Sequence, residues 1–213
     1  MRSFLIVMLV LSLALVVGCQ PAPDEVNDDI NDEINDEAND QVDDAVGPLM
    51  GLVDAPPAVD GSSEGYTADA LQVAGASILL AHDGSSLYVH METEVDGWVS
   101  IGFNTLGGTM DGANMVLGYL DNGDPAYRDD VGRGLNHSEA GTAAVEDFYL
   151  SYEDGSAVME FSYPLDFPGD EGYSMEELVL GETYTLIVAS NNNSHNIAQR
   201  HSNVGRSEFT VEQ

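Results

Sequence analysis

Two-residue alternation, broken by Gly-containing turns, constrains this chain more than any other feature. In SLYVHMETE (86–94), Leu87, Val89 and Met91 fall on one side and Tyr88, His90 and Glu92 on the other. SAVMEFSYPL (156–165) repeats the pattern with Ala157, Met159, Phe161 and Tyr163. GWVSIGFN (97–104) is dense in β-branched and aromatic residues, and ETYTLIVAS (182–190) and SEFTV (207–211) complete the set. A period of two marks a strand with one buried face. HDGSS (82–86), DNGD (121–124) and EDGS (153–156) supply the residues that tolerate positive φ in tight hairpins. Apart from the acidic N-terminal segment, no stretch sustains a helical period. The pattern predicts an all-β fold, an immunoglobulin-like antiparallel β-sandwich.

The N-terminus predicts export. Arg2 precedes an apolar run from Phe4 to Val17, the core of a signal segment and short for a membrane span. Val16-Val17-Gly18-Cys19 resembles the bacterial lipobox, so residues 1–18 read as a lipoprotein signal peptide. Cys19 is the only cysteine and has no disulfide partner, which suits an acylation site. The alternative is an ordinary signal peptide that ends in Cys. The expected location is extracytoplasmic, anchored to a membrane by lipid on Cys19.

Residues 19–63 read as tether and linker. DEVNDDINDEINDEANDQVDD (24–44) carries eleven acids and no basic residue. Apolar residues recur every four positions from Val26 to Val46, yet Asn and Asp compete with helical hydrogen bonds and the charges repel. A solvated stalk is predicted, with a marginal helix as the alternative. GPLMGLVDAPPAVDGSS (47–63) reads as Gly/Pro/Ser linker, leaving 64–213 as one domain large enough for a core.

Charge excludes some partners. The formal net charge is −33, with 38 acids against five basic residues, all arginine. Phosphate recognition needs a basic surface, so nucleic acid is not an expected partner, nor is direct adsorption to anionic lipid. Such a surface suits a saline setting, where salt screens self-repulsion, or steering of a cationic partner.

Motifs for chemistry are few. DNGDPAYRDD (121–130) groups hard oxygen donors and invites a calcium reading, but it lacks EF-hand spacing and reads equally as an acidic hairpin. The chain holds no G-x-S-x-G and no H-E-x-x-H, so a hydrolase is unsupported rather than excluded, and no enzyme is expected.

The order of motifs resembles a known family. DGWVSIGFN (96–104), GGTMDGANMVLGYLDNGDPAYRDD (107–130), VEDFYLSYEDGSAVMEFSYPLD (145–166), LVLGETYTLIVAS (178–190) and RHSNVGRSEFTV (200–211) follow one another as in a DOMON domain. That β-sandwich is found beside copper monooxygenases and in haem-b cytochrome domains. The family usually has Asp where this chain has Asn114. The resemblance implies a fork. In the cytochrome branch, haem b lies in a pocket at one end of the sandwich, held by a turn methionine and a loop histidine. Met110 matches the first and His201 the second, with His195 as the alternative; Gly108 and Gly112 would let the backbone approach the porphyrin. Such ligation gives a six-coordinate centre that transfers electrons, with a redox partner protein. In the other branch the same residues occur without haem, and the module binds a sugar, another small ligand or a protein.

Each residue also has a plainer reading. Met110 is a natural gap filler, and His201 a hydrogen-bonding loop residue. His82 is expected to be solvated in a hairpin turn, His90 exposed or half-buried, and His137 on a loop where it could line a site, though nothing nearby supports one. Trp98, Phe103, Met115 and Tyr119 are candidate pocket walls.

Overall fold

The computed structural model describes residues 48–103, 109–167 and 177–213. Twelve strands occur there: β1 Leu49–Leu52, β2 Leu71–Val73, β3 Ala76–His82, β4 Ser86–Thr93, β5 Val99–Phe103, β6 Asn114–Asp121, β7 Asp124–Arg133, β8 Asn136–Glu139, β9 Asp147–Glu153, β10 Ser156–Pro164, β11 Thr183–Ser190 and β12 Asn203–Val211. No helix occurs among the described residues, so none there is long and apolar enough to cross a membrane. Cys19 and the acidic tether lie outside the described residues.

The strands form two sheets. The first runs β8-β7-β6-β5-β11-β12, and the second β3-β4-β10-β9 with β2 on the free side of β3. β1 joins them: Leu49 and Met50 pair in parallel with Thr210 and Val211, then Gly51 and Leu52 with Ala81 and His82. The inward faces share one core, including Phe103, Phe161, Phe209, Leu87, Val89, Met91 and Met159. Each such side chain is at most 2% exposed, and each burial stabilises by roughly 1.5–3 kcal/mol.

The three hairpins read from sequence are where they were expected. At Asn122-Gly123 and Asp154-Gly155 both central residues have positive φ, as type I′ turns require. Ala74-Gly75, between β2 and β3, does the same with an alanine, so composition alone hides that turn. Asp121–Asp130 forms the β6–β7 hairpin and the strand after it, and no group of metal-ligating side chains is found among the described residues.

Residues 48–66 differ from the linker expectation. Beyond β1, Val53 packs with Ala81 and Tyr88, and Tyr66 joins them, on the outward face of the second sheet. Asp60 and Gly61 donate their backbone N–H groups to Glu160 Oε2 at 2.9 and 2.7 Å, and Tyr66 donates to Oε1 at 3.0 Å. The Pro-rich composition conceals this strap because its anchor is a side chain, not a β-ladder. The strap changes two histidine readings. His90 is 2% exposed, against Tyr66, Glu92 and Glu160. His82 is fully buried, with β1 laid alongside it.

Candidate functional site

On the first sheet, the outward face is set by register. One row runs Arg206, Ile187, Gly102, Met115, Asp130, and the next Val204, Ala189, Ser100, Leu117, Arg128. Two irregular segments rise over this face.

The first is the turn at 109–113. Gly112 has φ +74° and donates to Gly132 O at 3.0 Å, while Gly132 donates to Ala113 O at 2.8 Å. A Cβ on Gly132 would overlap the Met110 carbonyl oxygen, so the turn docks on β7 only because residue 132 has no side chain. Met110 is half-buried and packs with Ala113, Met115, Leu117 and Ile197. Gly112 thus places its backbone against β7. Gly108 lies outside the described residues.

The second segment is 191–202, NNNSHNIAQRHS. Its asparagines hold the loop's own backbone: Asn191 Nδ2 donates to Arg200 O, and Asn196 Oδ1 accepts from Ala198 N. It is docked by the chain before β5, where Trp98 N donates to Ser194 O and Asn191 N to Trp98 O. A Cβ on Gly97 would collide with the Asn191 carbonyl, so this too is a glycine-dependent approach.

Between the two segments lies a cavity of about 960 Å³. Its apolar wall is Trp98, Met110, Leu135, Ile187, Ile197 and Val204. Its polar lining is Arg128, Asn136, His137, Gln199, Arg200, His201 and Arg206. Met110 and His201, 91 positions apart in sequence, therefore share one cavity. It sits over an outward sheet face, whereas the resemblance implied the end of the sandwich. His195 lies off the cavity wall, edge-on to Tyr152 at 4.8 Å and 4.0 Å from Asp96. Of the other candidate walls only Trp98 lines it. Phe103 faces the inner core, Met115 lies beneath Met110, and Tyr119 is elsewhere on β6.

Electrostatics differ sharply within the site. Burial, then the nearby Arg200 charge, pushes His201 below the ordinary histidine range, so its imidazole is neutral near pH 7. Burial alone would raise Asp130, but His137 and Arg128 outweigh it and hold the carboxylate below the usual range. Arg128 grips Asp130 through Nε and Nη2, both at 2.5 Å. His137, expected on a loop, lies on β8 and joins Arg128 around the buried Asp130 at the cavity edge. The arginines were missed as site residues as well. Their scarcity was the available signal.

Residues 75–191 match the DOMON domain. The chain belongs to the DOMON family. The cytochrome domain of Myriococcum thermophilum cellobiose dehydrogenase is similar to this DOMON chain at a TM-score of 0.51 and 12% identity, over 67% of this chain and 81% of that one. That likeness shows a shared fold. The cytochrome b domain of pyranose dehydrogenase from Coprinopsis cinerea scores 0.45 at 12% identity, over 64% and 76%. A family 9 carbohydrate-binding module from Caldicellulosiruptor kristjanssonii in complex with glucose scores 0.41 at 12%, over 77% and 95%. No curated protein matches the chain.

Proposed function

We propose that this DOMON domain is a small-ligand-binding module, held outside the cytoplasm by lipid on Cys19, and that its ligand sits in the cavity between 109–113 and 191–202. The observation that carries this is the cavity itself: about 960 Å³, lined by both apolar and hydrogen-bonding side chains. Lipid anchoring rests on the resemblance of Val16–Cys19 to a lipobox.

A second reading is haem b with Met110 and His201 as axial ligands. It is favoured by their sharing one cavity and by the neutral state of His201. The donor set fits: a thioether and a neutral imidazole are both iron ligands, and the apolar wall suits a porphyrin. When bound, haem would supply one-electron transfer. The chain's own residues would fix the cofactor, exclude water through Trp98 and Ile187, and leave a redox partner to meet the exposed rim. Against it, Met110 already has an apolar cluster to fill.

One experiment separates the two. The full chain is produced with haem available, and its absorption spectrum is taken oxidised and reduced. A folded, colourless protein supports the haem-free module and sinks the haem reading. A low-spin spectrum lost in Met110→Ala and His201→Ala, but kept in His195→Ala, does the reverse.

A further inference from the structure

Resting on the ligand-binding reading, we infer that the cavity selects a ligand bearing a carboxylate, through Arg200, Arg206 and the indole N–H of Trp98.

The argument begins with charge distribution. The chain has 38 acidic residues and five arginines. Three of those arginines, Arg128, Arg200 and Arg206, line this one cavity, and none of its described lining residues is acidic. A surface evolved only to be acidic has no reason to gather its rare cations around a concavity and keep carboxylates out of it. Arg128 is neutralised by Asp130. Arg200 and Arg206 make no ion pair with a carboxylate among the described residues, so their charge is left for something else.

Trp98 gives an independent observation. It lines the cavity, is 4% exposed, and its indole N–H has no acceptor among the described residues. A buried donor without a partner costs about 1–3 kcal/mol, which an acceptor-bearing ligand would recover. Three donors without a partner among the described residues therefore converge here: two guanidinium groups and an indole. Guanidinium matches the two oxygens of a carboxylate in a fork geometry. Ile187, Ile197 and Val204 supply apolar contact for the rest of the ligand, and Val204 is 47% exposed. The surrounding acidic surface repels anions over long range, so selection must come from these short-range contacts.

Trp98 is the only tryptophan, so its emission reports cavity occupancy directly. The full chain is titrated with octanoate and with its neutral isostere octanamide, and separately with galacturonate and galactose. This distinguishes an aliphatic acid from an acidic sugar. Haemin and its dimethyl ester form the third pair. The expected result is that the acid of at least one pair binds about tenfold or more tightly than its neutral partner. That preference should fall to near unity in Arg200→Gln/Arg206→Gln. Arg133→Gln, which removes one positive charge outside the cavity lining, should leave the preference intact. Equal binding of acid and neutral partner in every pair overturns the inference while leaving a ligand-binding cavity. So does a preference that survives the double substitution. No emission change with any probe overturns both this inference and the reading on which it rests.

Discussion

At the scale of single residues, the polar contact that crosses the core is the most informative. Tyr163 on β10 places its hydroxyl 3.1 Å from Asn114 Oδ1 and 3.1–3.3 Å from both oxygens of Asp129. Asp129 is 3% exposed and also accepts from Ala144 N at 2.7 Å. Burial pushes its pKa from 3.8 to about 6. An Asp at position 114 would set a second carboxylate beside Asp129, and Asn114 avoids that repulsion. Because the folded pKa lies above the unfolded one, the folded state binds the proton more tightly. Stability therefore falls as pH rises through the window from about 4 to about 6, by an amount on the order of 3 kcal/mol. Asp129→Asn should flatten that part of the profile in urea unfolding series. An unchanged profile would mean that Asp129 stays ionised throughout.

At the scale of elements, glycines and straps decide what the strands leave open. Gly132→Ala should destabilise by roughly 1–3 kcal/mol, because the alanine methyl overlaps the Met110 carbonyl and the turn must lift from β7. The cavity would open with it, so thermal melting and Trp98 emission should shift together. A loss of stability with unchanged emission would show that the turn does not shape the cavity. The strap at 53–66 depends on Glu160, which is fully buried and accepts from two backbone N–H groups and Tyr66. Glu160→Ala strands those three donors and should cost roughly 3–5 kcal/mol. Limited proteolysis should then cut near Pro56–Gly61, where the wild type resists. His90 reports on the same contact. Burial would lower its pKa, but its contacts with Glu160 and Glu92 outweigh this and raise it above 6.5. Its stabilising contribution is thus full below that value and is lost as pH rises through the raised folded-state pKa.

At the scale of the whole molecule, a net charge of −33 on 213 residues makes self-repulsion a general term in stability. Salt shortens the reach of that repulsion from about 30 Å at 0.01 M to about 3 Å at 1 M. The unfolding midpoint should therefore rise steadily with sodium chloride over that range. A flat response would show that the charges are too well solvated to matter. Ligand selection is a different, local question, since the cavity's lining reverses the sign of the surface around it.

Strands β4, β5, β10, β11 and the end of β12, the Asn122-Gly123 and Asp154-Gly155 hairpins and the inward set from Leu87 to Tyr163 were legible, because period two and turn chemistry are local properties. The membership of Met110 and His201 in one site was legible only through family resemblance. Ala74-Gly75, the strap and the burial of His82 and His90 were not legible. The turn was hidden by its alanine, whereas the strap and the two histidines depend on a segment distant in sequence covering a face that the local pattern leaves polar. Sequence alone determined the all-β class and the acidic surface, since both follow from residue type and spacing. Only the tertiary structure decided that Arg128, Arg200 and Arg206 meet Trp98 at one cavity, because register across five strands and two docked loops sets that meeting.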